Sequence, residues 1–209
     1  FNGSIASEVL SWFDGALIGL EGADGHYPFR EYTRNALKTK PAKNKNDLLK
    51  FLRIADLGIA DVETSIKKLT LDDLPPLFNE ETKKEMIQSE EFHPLVISMY
   101  HQGYVAGRKS DLVKFGFGME SAGTQKMFYL ALPIIDALRN GKTLIIDELD
   151  SSLHPLLSQY IVGLFNSEVT NRSGGQLIFA THNISLLTDQ NFRRDQVWFV
   201  EKNELGSTG

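Results

Sequence analysis

The chain has 209 residues, 42% of them hydrophobic and 23% charged, which fits one large globular domain or a domain carrying an insertion. Its net charge of −5 gives no bulk attraction for nucleic acid and leaves only a local basic patch for that role. The absence of cysteine excludes disulfides and thiolate metal sites and fits a reducing compartment. No apolar run approaches the ~18 residues of a membrane span and no signal peptide opens the sequence, so a cytoplasmic location is expected.

In chain order, Ile5, Val9, Leu10, Trp12, Phe13, Leu17 and Leu20 recur at helical spacing. They predict a helix over 5–20 with Ser4 as N-cap, and Trp12 and Phe13 in the core. Residues 21–46 read as a Gly-, Asn- and Lys-bearing connection broken at Tyr27-Pro28 and Lys40-Pro41, with a helical turn or more over Phe29–Lys38. Lys38, Lys40, Lys43 and Lys45 read as a solvated basic loop, nucleic-acid contact being the sharper alternative. Asp47 is expected to cap a helix over Leu48–Ala55 that ends near Gly58. Val62–Leu71 follows as a strand, stopped by Leu74-Pro75-Pro76, and Asn79 opens a charged helix over Glu80–Ser89.

Leu95–His101 and Leu112–Phe117 predict a hairpin joined through Gln102–Asp111. Within that connection Gly107-Arg-Lys-Ser110 invites comparison with a phosphate loop. Arg108 interrupts the required Gly-Lys-Ser, and no helix follows, so it reads as a turn. Beyond residue 119 strands and helices alternate: helix Thr124–Leu138 capped at Asn140-Gly141, strand Thr143–Ile146, helix His154 to about Phe165, strand Gln176–Thr181, a short helix near Ile184–Thr188, and a last strand Gln196–Lys202. This alternation predicts a parallel α/β layer.

Three segments carry candidate chemistry. The apolar run Leu144-Ile-Ile ends in Asp147-Glu148, and ligands of open α/β sheets sit beyond the carboxyl ends of strands. Two acids delivered by a buried strand are costly unless they have a task. Holding magnesium (Asp147) and polarising an attacking water (Glu148) beside a γ-phosphate fits; a solvated acidic turn is the plainer reading. Glu120-Ser121-Ala122-Gly123-Thr124-Gln125 precedes a helix, where small residues and the helix N-terminus suit an anion, though it also reads as an ordinary capping sequence. His182 directly follows a buried strand and is by itself most simply a hydrogen-bonded turn residue. If that strand lies beside Ile146, His182 and Glu148 emerge at one sheet edge.

On these segments the second half resembles the C-terminal half of an ABC/SMC-type ATPase head. Glu120–Gln125 resembles the signature motif, Leu144–Glu148 the Walker B strand, Ser151–His154 the D-loop, and Thr181-His182 the switch histidine. It looks closest to the AAA-labelled ATPases of bacterial abortive-infection and phage-resistance systems, sharing Asp150-Ser-Ser-Leu-His-Pro155 and Asp195-Gln-Val-Trp-Phe-Val-Glu-Lys202. The resemblance is close over about 110–202, extends to 47–71, and is loose over 1–46.

It implies an α/β fold, a mostly parallel sheet flanked by helices with a helical and hairpin N-terminal region. Residues 1–94 would be a mostly helical insertion between Walker A and signature, and 95–209 the C-terminal half of the ATPase domain. It also implies ATP and magnesium as cofactors. Asp147 would order the metal, Glu148 would be the catalytic carboxylate and His182 would bond the γ-phosphate. Ser121, Ala122, Gly123 and Thr124 would reach a nucleotide held by a second head, with Ser151 and Ser152 at the dimer seam. Asp150 and His154 receive no chemistry.

The chain departs from the family in having no Walker A loop and no clear Q-loop glutamine, which implies a fragment whose phosphate-gripping loop lies upstream and which is inactive alone. The implied partners are a second copy and an effector protein such as a nuclease, with nucleic acid possible. The alternatives are an ATP-dependent dimerisation switch with little hydrolysis and a DNA-repair ATPase of the SMC kind. The latter ranks lower because 47–94 lacks sustained heptads.

Overall fold

The computed structural model describes residues 4–18, 27–55, 57–89, 92–188 and 191–201. Along the chain run α1 (Ser4–Ala16), β1 (Leu17–Ile18), α2 (Tyr27–Thr39), α3 (Pro41–Ile54), β2 (Ile59–Ile66), α4 (Glu80–Gln88), β3 (Leu95–Val105), β4 (Arg108–Gly116), α5 (Ala122–Asn140), β5 (Thr143–Ile146), α6 (Pro155–Asn166) and β6 (Gln176–Phe179). The described residues fall into two compact units, one made of those up to 17 together with those from 137 onward, the other of those from 18 to 136. The fold class is α/β, as the sequence predicts, with helices flanking a sheet that contains a parallel pair.

One three-stranded sheet has the order β1-β5-β6, with β5 and β6 both in the first unit. β5 and β6 are parallel and joined through α6, a connection long enough for a crossover helix. Leu144, Ile146, Leu149, Ile161 and Leu186 are at most 2% exposed, each worth about 1.5–3 kcal/mol of burial. The amino ends of β5 and β6 are closed by glycines. Gly141, at φ 66, would place a β-carbon 2.5 Å from the Ser173 carbonyl, and Gly175 would place one 2.5 Å from the Ala137 carbonyl. Asn171 ties that end down, its Nδ2 donating to the Phe165 and Gly175 carbonyls and its Oδ1 accepting from the Gly175 amide.

In the second unit β2, β3 and β4 form an antiparallel sheet, with Val62 opposite Met99 and Val105 opposite Arg108. The expected hairpin is present, but its strands run further. Only Ala106 and Gly107 form the turn, both at positive φ (48 and 75), which matches the twist of paired strands. Arg108–Ser110 belong to β4, so the phosphate-loop comparison fails structurally as well. The first part of α5 is buried nearly all round, from Lys126 to Ile134 with Tyr129 half-buried. It carries Pro133, whose missing N–H frees the Tyr129 carbonyl. The buried Thr33 hydroxyl of α2 donates to that carbonyl at 3.0 Å, and Tyr32 donates to Asp136 at 2.5 Å. A kinked-helix liability thus becomes the α2–α5 attachment.

Several expectations need correction. The first helix stops at Ala16 because Leu17-Ile18 joins the sheet beside β5; Leu20 lies outside the described residues. Trp12 and Phe13 are 48% and 51% exposed and pack edge-on against each other at 5.1 Å, so apolar spacing marked a face without marking a cover. The basic run is not a loop. Pro41 starts α3 at the position proline favours, well before Asp47, and Lys43 and Lys45 lie within it, Lys45 pairing with Asp61 at 3.1 Å. β2 begins and ends earlier than the predicted strand. Described residues of the final apolar run form no strand: Arg194–Gln196 is a short 3-10 turn, and Trp198, Phe199 and Val200 are exposed without a ladder. Strand propensity needs a neighbour to become a strand. The cap of α4 is as predicted, Asn79 accepting from the Thr82 amide at 2.8 Å.

Candidate functional site

The register Thr143–Gln176 to Ile146–Phe179 brings the carboxyl ends of β5 and β6 to one rim. β5 breaks there into Asp147-Glu148, and β6 into Ala180-Thr181-His182. Two backbone bonds carry the pairing past the strands, Ala180 N–H to the Ile146 carbonyl at 3.1 Å and Leu149 N–H to the Ala180 carbonyl at 3.0 Å. Asp150 adds two more through one oxygen. Its Oδ1 accepts from the Thr181 hydroxyl at 2.5 Å and from the His182 amide at 3.2 Å. Thr181 Oγ1 accepts in turn from the Asn183 amide at 3.0 Å, and Asn183 Oδ1 caps the following turn by accepting from the Ser185 amide at 3.0 Å.

The turn after β5 is tight. Glu148 and Ser152 sit at φ 48 and 62, a left-handed conformation costing roughly 1–2 kcal/mol for a residue with a β-carbon. Ser151 N–H bonds the Glu148 carbonyl and Leu153 N–H the Asp150 carbonyl, each at 3.0 Å. Leu149 is fully buried and Leu153 nearly so, which anchors the turn to the core. His154 then caps α6, its Nδ1 accepting from the Leu156 amide at 3.3 Å. That is a structural role for a residue given no chemistry.

Asp147 and Glu148 are exposed, and so is His182. The cost of buried charge therefore does not apply to the two acids in this chain, and the case for them rests on position. Asp147 Oδ1 accepts from the Glu148 amide at 3.0 Å.

In the second unit, Ser121 is the N-cap of α5. Its hydroxyl oxygen accepts from the Thr124 amide at 3.1 Å and lies 2.9 Å from the Thr124 hydroxyl. The capping reading is realised, and helix geometry leaves the Ala122 and Gly123 amides without intrahelical acceptors. Glu120 is fixed beside it. His101 Nε2 lies 2.7 Å from Glu120 Oε1, and Gln125 Nε2 donates to the Glu120 carbonyl at 2.9 Å.

A comparison with protein families matches residues 2–188 to the one described as “AAA domain, putative AbiEii toxin, Type IV TA system”. The chain belongs to this AAA-domain family. Membership carries a nucleotide-binding, ATPase-like function at the level of the family. The comparison with curated proteins found no match.

For an AAA domain the rim offers one carboxylate next to a second. Among the described residues no group of three or more His, Asp or Glu is placed to hold a metal. That donor set fits magnesium carried by phosphate and water with one protein carboxylate, Asp147, and does not fit an all-protein cage. Magnesium so held would supply positive charge to the phosphates.

Partial burial pushes the Asp150 carboxyl up, but the Thr181 hydroxyl, the backbone amides of Asp150 and His182, and the His182 ring together hold it below the ordinary range. The rim thus gathers Asp147, Glu148, Ser151, Ser152 and His182, while Ser121–Thr124 belong to the other unit. Asp150 and Thr181 were missed in the sequence because an Asp in a tight turn reads as a turn former. The available signal was a Thr directly before the strand-end His, with a second acid just past Glu148. No described helix is long and apolar enough to cross a membrane.

Proposed function

We propose that this AAA domain is the C-terminal portion of an ATP-hydrolysing head of the ABC type. ATP is sandwiched between two copies, within a bacterial phage-defence system of the abortive-infection kind. Asp147 orders magnesium, Glu148 takes the proton of the attacking water, and His182 hydrogen-bonds the γ-phosphate. Ser121 and the amides of Ala122, Gly123 and Thr124 meet the nucleotide of the second head, and Ser151 and Ser152 lie at the seam. The Gly-x-x-x-x-Gly-Lys-Ser/Thr spacing of a loop that grips the β- and γ-phosphates is absent from these 209 residues, so the reading needs such a loop in addition to them. Residues 1–94 act as the inserted region and 95–209 as the catalytic half.

The observation that carries the reading is the shared rim. An acidic pair after β5 and a histidine after β6 leave parallel neighbours at the ligand-binding end of the sheet. The test is ATP turnover by the protein with its phosphate loop, against Glu148→Gln. Loss of a positioned base lowers kcat roughly 10²–10⁴-fold while ATP still binds. Unchanged turnover would remove Glu148 from the reaction. ATP-dependent pairing of two copies, read by light scattering, tests the sandwich.

A further inference from the structure

We propose that Asp150 is a positioning residue for His182. Through Thr181 it fuses the turn after β5 and the turn after β6 into one rigid piece, so that the candidate catalytic acid and the candidate phosphate sensor keep a fixed spacing. The inference about chemistry rests on the reading above; the link itself does not.

The geometry points to Asp150 because its own position is fixed before it contacts anything. Leu149, its neighbour, is fully buried and donates its amide to Ala180, so the chain enters Asp150 already tied to the β6 side. Asp150 also closes its own turn through Leu153. From there a single oxygen, Oδ1, receives both the side chain of Thr181 and the backbone of His182. The His182 amide lies past the last strand residue, Phe179, so the sheet ladder no longer supplies its acceptor. Thr181 extends the connection forward, since its oxygen also accepts the Asn183 amide. A chain of contacts therefore runs from the strained Glu148 turn to both neighbours of the His182 α-carbon. Exposed, His182 has little packing to orient it, which makes the backbone tether the chief constraint on it.

The test has two arms. In this chain, Asp150→Ala should speed amide exchange at His182 at least ten-fold, as Thr181→Val should. Asp150→Asn, which keeps a carbonyl oxygen at Oδ1, and Thr181→Ser should stay within about three-fold of the parent. In the protein with its phosphate loop, Asp150→Ala should lower kcat at least ten-fold with KM changed less than two-fold. In a His182→Ala background it should add less than two-fold, because its effect passes through His182. Unchanged exchange at His182 in Asp150→Ala overturns the link. Losses that multiply in the double variant overturn the role through His182. If the parent hydrolyses no ATP, the ATPase reading falls, while the exchange arm still decides whether Asp150 holds His182.

Discussion

Glu148 is held at φ 48, where a residue with a β-carbon carries roughly 1–2 kcal/mol of strain. Glycine takes that conformation freely but brings about 0.5–1 kcal/mol of extra freedom in the unfolded chain. The difference favours Glu148→Gly by about 0–1.5 kcal/mol, less whatever the exposed Glu148 side chain contributes. For a chain of this size, 1 kcal/mol moves Tm by about 2–4 °C, so the gain should be at most about 6 °C. Glu148→Gln keeps the β-carbon and should leave Tm within a degree or so. Thermal unfolding followed by circular dichroism, with urea midpoints as a second measure, reads both variants. A Glu148→Gly protein less stable than its parent by 1 kcal/mol or more would refute the reasoning: the side chain would then be holding the turn rather than straining it. A gain in stability with loss of turnover would mark the position as one where strain is retained for chemistry.

Two further outcomes are expected. Ser121→Ala removes the cap of α5 and should cost about 0.5–2 kcal/mol in urea unfolding even without nucleotide, whereas Ser121→Gly should cost only a few tenths; no change would mean the Ser121–Thr124 bond is idle. Asp73 is bonded by the Lys67 ammonium, the Thr70 hydroxyl and the Thr70 amide, which hold its carboxyl at about 2 against an ordinary 3.8. A lowered carboxyl supports folding fully above 3.8 and loses that support as pH falls through 2, so the stability gap to Asp73→Asn should be flat above about pH 4 and shrink below it. An NMR titration of the Asp73 carboxyl with a midpoint near the ordinary value would contradict this.

The second half of the chain was legible because its elements are set by local rules. β5 is a buried run between Gly141 and two acids, and α6 starts at His154-Pro155. The first half was less legible because its elements depend on partners far along the chain. Leu17-Ile18 becomes a strand only because β5 lies beside it, and α2 closes on a carbonyl that Pro133 sets free. In the candidate site the acids and the histidine could be read from motif position. The residue that joins them could not, because the Asp150–Thr181 bond depends on the register of two strands that meet only in the folded sheet.

The opposite end of that sheet has its own consequence. Where β5 and β6 begin, Gly141 and Gly175 are confined by carbonyl oxygens 2.5 Å from any added carbon. On the reading proposed above, a library of single variants screened for ATP turnover would reject change at these positions as well as at the acids and the histidine, for want of room and not for lost reactivity. Sorting the same library for folded protein alone separates the two ends: only the glycine end should still reject change.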